Sequence, residues 1–560
     1  MRTTRLVLVM LLLVLLATSF GGASAKEPKI VDVQILAFND FHGNLEPPSG
    51  SSGRVAIPVG TVNAGGAVFL ATHIKDLEAV NPNTILVSGG DLIGASPLLS
   101  ALFHDEPTIE MANLMGMDLE TVGNHEFDEG WHELQRMQKG GCHPVDGCQD
   151  GDPFDGFDGK FLSANVTEGK KDKTLFPSYR VLSVGGAKVA FIGVGYENTP
   201  SIVIPSGVEG LKFLPEVSTV NQVIEKFKHK GVKNFVVLMH DGGSQTGFYN
   251  ECVNPTGTFF DYVNQLDPAV SVVISAHSHY AYNCLIGGKV VTQAMSNGRI
   301  LTDIDLTIDA HSGEIITVAA NNEIVTRDVT PDPDVMALIT KYNAVAKPIA
   351  CKVVGSITAD ITRTANAAGE SAVGDVLADG QLYDTAPVDR GGAVMAFTNP
   401  GGIRADLMYI TLCDAEAPGE ITYGEAFAVQ PFSNNLVTMD LQGTYIHDML
   451  EQQWMGGNSG INAKVLQVSN GFTYDYSASG TPGDRVDPAS IKLNGVPIDP
   501  AATYRLTANI FLAGGGDNFP AFTHGTNRLV GGMDLDALTA YLGANSPVPP
   551  GPMNRIVSLP

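Results

Sequence analysis

The segment Gly123-Asn124-His125-Glu126-Phe127-Asp128 puts an amide oxygen, an imidazole and a carboxylate within five residues. That donor mixture suits a divalent transition metal, and a site that hydrolyses phosphate esters with two metals needs it. A polar loop capping the helix-like stretch Trp131-His132-Glu133-Leu134 would use the same residues, and short motifs match by chance. The choice rests on what else the chain supplies. Asn39-Asp40-Phe41-His42-Gly43 holds Asp40 and His42 two apart, so that in an extended segment both face one way. Gly89-Gly90-Asp91 offers a carboxylate on a glycine turn, suited to bridging two cations. His240-Asp241-Gly242-Gly243 and Ala276-His277-Ser278-His279 add three imidazoles. Taken singly, these are a capping Asp, a turn Asp and solvated or core histidines. As five blocks in sequence order they point to one metal centre.

The elements that must position them alternate in type. Val31–Phe38, Thr84–Ser88, Lys188–Val194, Asn234–Met239 and Val270–Ser275 are apolar runs of strand length. Helical patterns fall between, over Ala67–Val80, Glu110–Met115, Trp131–Gln138 and Val217–Lys230. Strands apolar on both faces and separated by helices predict α/β architecture with helix-covered sheets. Asp40, Asp91, His240 and His277 follow directly on strand ends, where ligands collect in open α/β sheets. Val329-Thr330-Pro331-Asp332-Pro333-Asp334 then reads as a linker that caps a helix. Val335, Leu338, Ile339, Tyr342 and Val345 recur at helical spacing, giving one amphipathic helix between two halves. From Cys351 onward a second α+β region of about 200 residues is long enough for one domain.

Arg2, Arg5, the apolar run Leu6–Leu16 and an Ala23-Ser24-Ala25 end predict a cleavable secretory signal, cut after Ala25. No cysteine follows to take a lipid and no apolar tail closes the chain, so no stable membrane anchor is expected. Net charge is −26, or −28 once Arg2 and Arg5 are removed, which argues against nucleic-acid polymers as partners. A small phosphate substrate stays compatible, because bound cations dominate their local field. Six cysteines in an exported chain suggest three disulfides. Cys142–Cys148 would close a small loop, and Cys252–Cys284 and Cys351–Cys413 are the simplest remaining pairs, although six cysteines allow 15 connectivities.

The blocks beginning at Asn39, Gly89, Gly123, Leu238 and Ala276 resemble those of the calcineurin-like metallophosphoesterases, and specifically the secreted bacterial-type 5′-nucleotidase family. The resemblance implies that Asp40, His42 and His279 hold one divalent ion and that Asp91 bridges to a second, held also by Asn124, His240 and His277. Zn, Mn or Fe would suit those donors. By the same resemblance His125 faces the phosphoryl group, and Asp128 fixes its tautomer while the nucleophile, a hydroxide held on the metals, attacks in line. Two residues depart from the pattern: Ala276 stands where the family usually has glycine, and Asp241 follows His240.

The second half continues the likeness. Glu370-Ser371-Ala372-Val373-Gly374-Asp375 matches a Glu-Ser-x-x-Gly-Asn block, with Asp375 in place of Asn. Asn399-Pro400-Gly401-Gly402-Ile403-Arg404 matches the loop that presents Arg404 to a substrate phosphate, with Asn399 and Gly402 in the same loop, and Arg363 is a further phosphate candidate. Phe432 and Phe511 are implied to sandwich a nucleobase, with Asp517 accepting from the ribose hydroxyls. The implied architecture is a four-layer metallophosphoesterase β-sandwich flanked by helices over 26–328, a linker and interdomain helix over 329–350, and a nucleotide-binding domain over 351–560. The implied activity is removal of the 5′-phosphate from nucleotides, extending to di- and triphosphates or UDP-sugars, outside the cytoplasm in the medium or periplasm. A 2′,3′-cyclic-nucleotide phosphodiesterase with 3′-nucleotidase activity is the nearest alternative, and a secreted nucleotide-binding protein without catalysis a more distant one.

Overall fold

The computed structural model describes residues 29–169, 173–203, 205–228, 232–410, 413, 416–432 and 434–560. The expected signal peptide, the end of the helix expected to reach Lys230, and Ser433 lie outside the described residues. Two six-stranded sheets form the first half. One runs in the order Glu314–Ile324, Ile300–Asp309, Ile30–Phe38, Thr84–Ser88, Leu119–Thr121, Lys160–Leu162. The other runs Ala281–Ile286, Lys289–Ala294, Val270–Ser275, Phe235–Met239, Ala187–Val194, Tyr179–Val184.

Side-chain alternation along each strand explains why the sheets stack. In Ile30–Phe38, Val33, Ile35 and Ala37 face Phe191, Val236, Leu238 and Ile274 of the second sheet in a shared core. Leu36 and Phe38 face the opposite way, into a core with the helix Ala67–Val80. On the far side of the second sheet, Val237, Met239 and Val273 pack with Val220 and Ile224 of helix Glu216–Lys228 and Phe259 of helix Thr258–Gln265. Helix, sheet, sheet and helix make four layers. Ile30–Phe38 pairs in parallel with Thr84–Ser88, and Phe235–Met239 with Val270–Ser275, so the carboxyl ends within each pair point the same way.

The second half has a five-stranded sheet ordered Gln467–Val468, Met395–Thr398, Thr503–Asn509, Asn435–Gln442, Thr526–Met533 and a smaller four-stranded sheet. Between the halves lies helix Pro333–Ala350. Asp332 caps it, accepting from the amides of Asp334 and Val335 at 3.1 Å each and from Lys75 Nζ at 2.5 Å. Its buried stripe is Val335, Leu338, Tyr342 and Ala346, which belongs to the core of the first half; Tyr342 packs edge-on to Phe103 at 4.7 Å. Val345, expected on that stripe, is exposed instead, because the helical spacing from Tyr342 lands on Ala346.

Helix Glu106–Leu114 begins four residues before the expected Glu110, since Pro107 fits a first helical turn. The long antiparallel pair Ile300–Asp309 and Glu314–Ile324 was not among the expected strands: Asp303, Asp305 and Thr307 interrupt the inner strand, and Thr317 breaks the apolar stretch 315–320 of the outer one, whose first eight residues are all at least partly exposed. Cys142–Cys148, Cys252–Cys284 and Cys351–Cys413 are disulfide-bonded. Among the described residues, no helix is long and apolar enough to cross a membrane.

Candidate active site

At the strand carboxyl ends the dispersed sequence blocks converge. Ligand-type atoms of Asp40, His42 and His279 lie within 4.8 Å of one another, as do those of Asp91, His240 and His277. In the first group His42 Nε2 is 3.2 Å from His279 Nε2, which is 3.3 Å from Asp40 Oδ1. In the second, His240 Nε2 is 3.1 Å from Asp91 Oδ2 and 3.2 Å from Asn124 Oδ1. The same Asp91 oxygen is 3.9 Å from His42 Nε2, so Asp91 stands between the groups. Backbone carbonyls aim the rings: His42 Nδ1 sits 3.0 Å from the Gly94 oxygen and His240 Nδ1 3.0 Å from the Gly89 oxygen. This fixes the other nitrogen, Nε2, toward the centre.

The local backbone is unusual where the side chains converge. Asp40, His42, Asp91, His277 and His279 all have φ between 49° and 67°, in the left-handed region. Such conformations persist only where surrounding contacts hold them, and they gather at functional sites. Glu126 supplies part of that hold. Buried beneath the loops, its carboxylate accepts from the amides of Gly123, Asp91 and Leu92 at 2.5, 3.0 and 2.9 Å, locking the Asp91 and Asn124 loops together.

His125 stands at the edge of this cluster, its ring 5.0 Å from that of His42. Asp128 Oδ2 is 2.9 Å from His125 Nδ1 and also accepts from the Ala95 amide at 3.0 Å. Asp128 does not cap the following helix; Gly130 occupies that position, so the carboxylate is free to orient the imidazole. Burial weighs against a charged His125, yet Asp128 and Asp91 together raise its pKa above the ordinary value.

The second half closes over this edge. Phe432 lies 5.6 Å from the His125 ring at 20°, and Arg404 sits 5.8 Å from the Phe432 centroid with Nη2 3.3 Å from His42 Nε2. A cavity of about 640 Å³ is lined by Asn124, His125 and Asp128 from one half and by Arg404, Phe432 and Phe511 from the other. Asn399, Gly402 and Asp517 line it too. Asn399 Nδ2 donates to Asp517 Oδ2 at 2.6 Å, and Asn509 Nδ2 to Asn399 Oδ1 at 3.1 Å. The Phe511 ring lies so close to Gly516 that a Cβ there would sit 2.5 Å from it, which accounts for glycine at that place in the loop.

Among the substrate-binding candidates, Arg363 is the one the structure keeps out of that cavity. It donates to Ser52 Oγ at 2.5 Å and to the Arg404 carbonyl at 2.6 Å, and it lines a neighbouring cavity of about 1040 Å³ that Arg404 also borders. The Glu370 block serves the fold. Glu370 accepts from the amides of Arg555 and Ile556 at 3.0 and 3.2 Å, and Ser371 caps helix Ala372–Thr385.

Two family descriptions match this chain: calcineurin-like phosphoesterase over residues 33–281, and 5′-nucleotidase, C-terminal domain, over residues 353–524. The cell wall protein Lmo0130 of Listeria monocytogenes is 32% identical over 96% of this chain and 70% of its own length. The chain belongs to the 5′-nucleotidase family. Endonuclease YhcR of Bacillus subtilis is 33% identical over 91% of this chain, which spans 40% of that larger protein. The crystal structure of a 5′-nucleotidase precursor from Thermus thermophilus superposes with a TM-score of 0.75 and 26% identity, covering 94% of this chain and 99% of that one.

A calcineurin-like phosphoesterase fold implies divalent metal ions, and the electrostatics of this 5′-nucleotidase-family site fit them. Burial pushes the pKa of His42, His277 and His279 down, so these rings are neutral and their lone pairs free to ligate. For His240 burial acts the same way, but the Asp91 carboxylate outweighs it and raises the pKa to about 10; a cation would meet that same negative field. Ala276 and Asp241 are both buried, their side chains accommodated without displacing His240 or His277 from the centre.

The sequence reading missed two residues here. Lys464 pairs with Asp517 at the cavity wall, but a single Lys after Gly460-Ile461-Asn462-Ala463 carries no motif. Glu126 lay inside the first motif, and its four amide contacts, from Gly123, Asp91, Leu92 and Ile93, come from backbone that only the fold assembles.

Proposed function

We propose that this chain is an exported, dinuclear metal-dependent 5′-nucleotidase. One observation carries the reading: the cavity that Arg404, Phe432, Phe511 and Asp517 line from one half is lined from the other by His125 and by Asn124 and His277 of the proposed metal ligands. Asp40, His42 and His279 would hold one ion, Asn124, His240 and His277 the other, with Asp91 shared between them. Bound there, two divalent ions supply an activated water and neutralise charge on the phosphoryl oxygens.

The chain's own groups do the rest. Arg404, its guanidinium 3.3 Å from His42, presents a fork to the phosphate beside the ligand cluster. Phe432 and Phe511 stack the base, a contact tolerant of base identity because every base has a π-face. Asp517, positioned by Asn399 and Lys464, accepts from the ribose hydroxyls. As the new oxygen–phosphorus bond forms, the phosphorus–O5′ bond breaks, and His125 stabilises the transferring phosphoryl group or gives its proton to the leaving oxygen. Asp128 holds the ring in the tautomer that does this. Export is supported by the three disulfides and by the expected signal sequence.

The test is phosphate release from AMP, 3′-AMP, 2′,3′-cyclic AMP and a UDP-sugar, before and after chelation and metal return. AMP should be the preferred monoester, with activity lost on chelation and restored by Zn or Mn. A clear preference for the cyclic substrate would overturn the 5′ assignment in favour of a cyclic phosphodiesterase, and chelator-resistant turnover would remove the metal centre.

A further inference from the structure

A second group of metal-ligand side chains lies on the rim of the substrate cavity, outside the catalytic cluster. His104 Nε2 is 3.0 Å from Asp146 Oδ2, and His143 Nδ1 is 3.3 Å from the same oxygen. One atom from each of the three lies within 4.8 Å of the others. The two imidazole rings stack at 3.7 Å and 17°. No step of the proposed mechanism uses any of them.

Three features distinguish this group from an ordinary surface ion pair. First, the spacing is that of a coordination shell. Metal–nitrogen bonds of ~2.0–2.1 Å in a tetrahedron put neighbouring donors roughly 3.3 Å apart. Second, Glu129 Oε2 stands 2.7 Å behind His104 Nδ1, on the ring nitrogen facing away from Asp146. A carboxylate there fixes the tautomer that leaves Nε2 for a metal.

Third, the scaffold is built independently of the catalytic loops. The Cys142–Cys148 disulfide closes the loop that carries His143 and Asp146. Arg136 anchors the base of that loop, donating to the Gly141 carbonyl at 2.6 Å while pairing with Glu106 at 2.5 Å. His104 itself is delivered from a left-handed backbone position, φ 53°.

We propose that His104, His143 and Asp146 form a separate divalent-cation site of the zinc class, clamping the disulfide loop to the rim of the cavity. Two imidazoles with one carboxylate favour a borderline transition metal over calcium or magnesium, which want an all-oxygen shell. Three protein donors leave a fourth position open.

The experiment uses the full mature chain, equilibrated with zinc, freed of excess metal and analysed for zinc per chain. His143→Ala and Asp146→Asn should each bind one zinc fewer than the parent, with His143→Ala keeping its AMP turnover. Zinc should also raise the melting temperature of Asn124→Ala, whose catalytic centre is impaired, but raise it less in the Asn124→Ala/His143→Ala double variant. Zinc content equal in parent and both rim variants would overturn the site. So would equal zinc-induced melting shifts in the single and double Asn124 variants. Neither readout depends on which nucleotide the enzyme cleaves, so a failure here is distinguishable from a failure of the 5′-nucleotidase reading.

Discussion

At the scale of single residues, backbone and ligand chemistry demand the same side chains. Left-handed φ values favour Asn, Asp and His over other non-glycine residues, and the positions concerned carry Asp and His. Asp91→Glu should therefore lose activity although it keeps the charge, because it strains the turn and overshoots the shared position; metal content and kcat on AMP would read both effects. His125→Ala should lower kcat by about 10²–10⁴, the usual span for a lost acid–base group, with folding intact by circular dichroism. Asp128→Asn should fall in the same direction, since the ring then loses the carboxylate that sets its tautomer. Phe432→Ala and Phe511→Ala act on a different quantity. On the proposed reading each removes a stacking surface worth about 1–3 kcal/mol, so KM for AMP should rise. Turnover of p-nitrophenyl phosphate, which has no nucleobase, should change less.

At the scale of elements, helix Pro333–Ala350 offers the cleanest measurement. Replacing its cap, Asp332→Ala, should cost about 1 kcal/mol of stability at neutral pH. Burial opposes ionisation of Asp332, but the hydrogen bonds from Lys75 and the Val335 amide outweigh it and lower its pKa. A lowered folded-state pKa makes the ionised group's contribution full above the unfolded value of ~3.9. It is lost as pH falls through the folded value. The difference in melting temperature between parent and Asp332→Ala should accordingly narrow in acid. The buried strands were legible in the sequence because both their faces are apolar: Thr84–Ser88 and Val270–Ser275 sit where they were expected, with their boundaries intact. The strand Glu314–Ile324 was not: Thr317 breaks its apolar stretch, and at the sheet edge it buries only Asn322. The ligand cluster was legible from residue types after strand ends. Lys464 and the rim group of His104 and His143 were not, because residues about 40 apart meet there without a shared motif.

At the scale of the whole molecule, the two halves divide the work at one cavity, yet the physical seam does not follow the sequence linker. Helix Pro333–Ala350 completes the apolar core of the first half through Val335, Leu338, Tyr342 and Ala346. We propose that the divisions at 328 and 350 have unequal standing. A fragment ending at residue 328 would uncover Phe103 and its neighbours and should aggregate, whereas one ending at 350 should remain monomeric by size-exclusion chromatography. Polar contacts cross the seam beside the catalytic cluster, such as Arg363 with Ser52 and Arg404 beside His42. A relative's second half could therefore be grafted after Ala350 to exchange the surface proposed to grip base and sugar. The catalytic cluster would travel with the first half unchanged, making this helix the natural splice point for chimeras with redirected specificity.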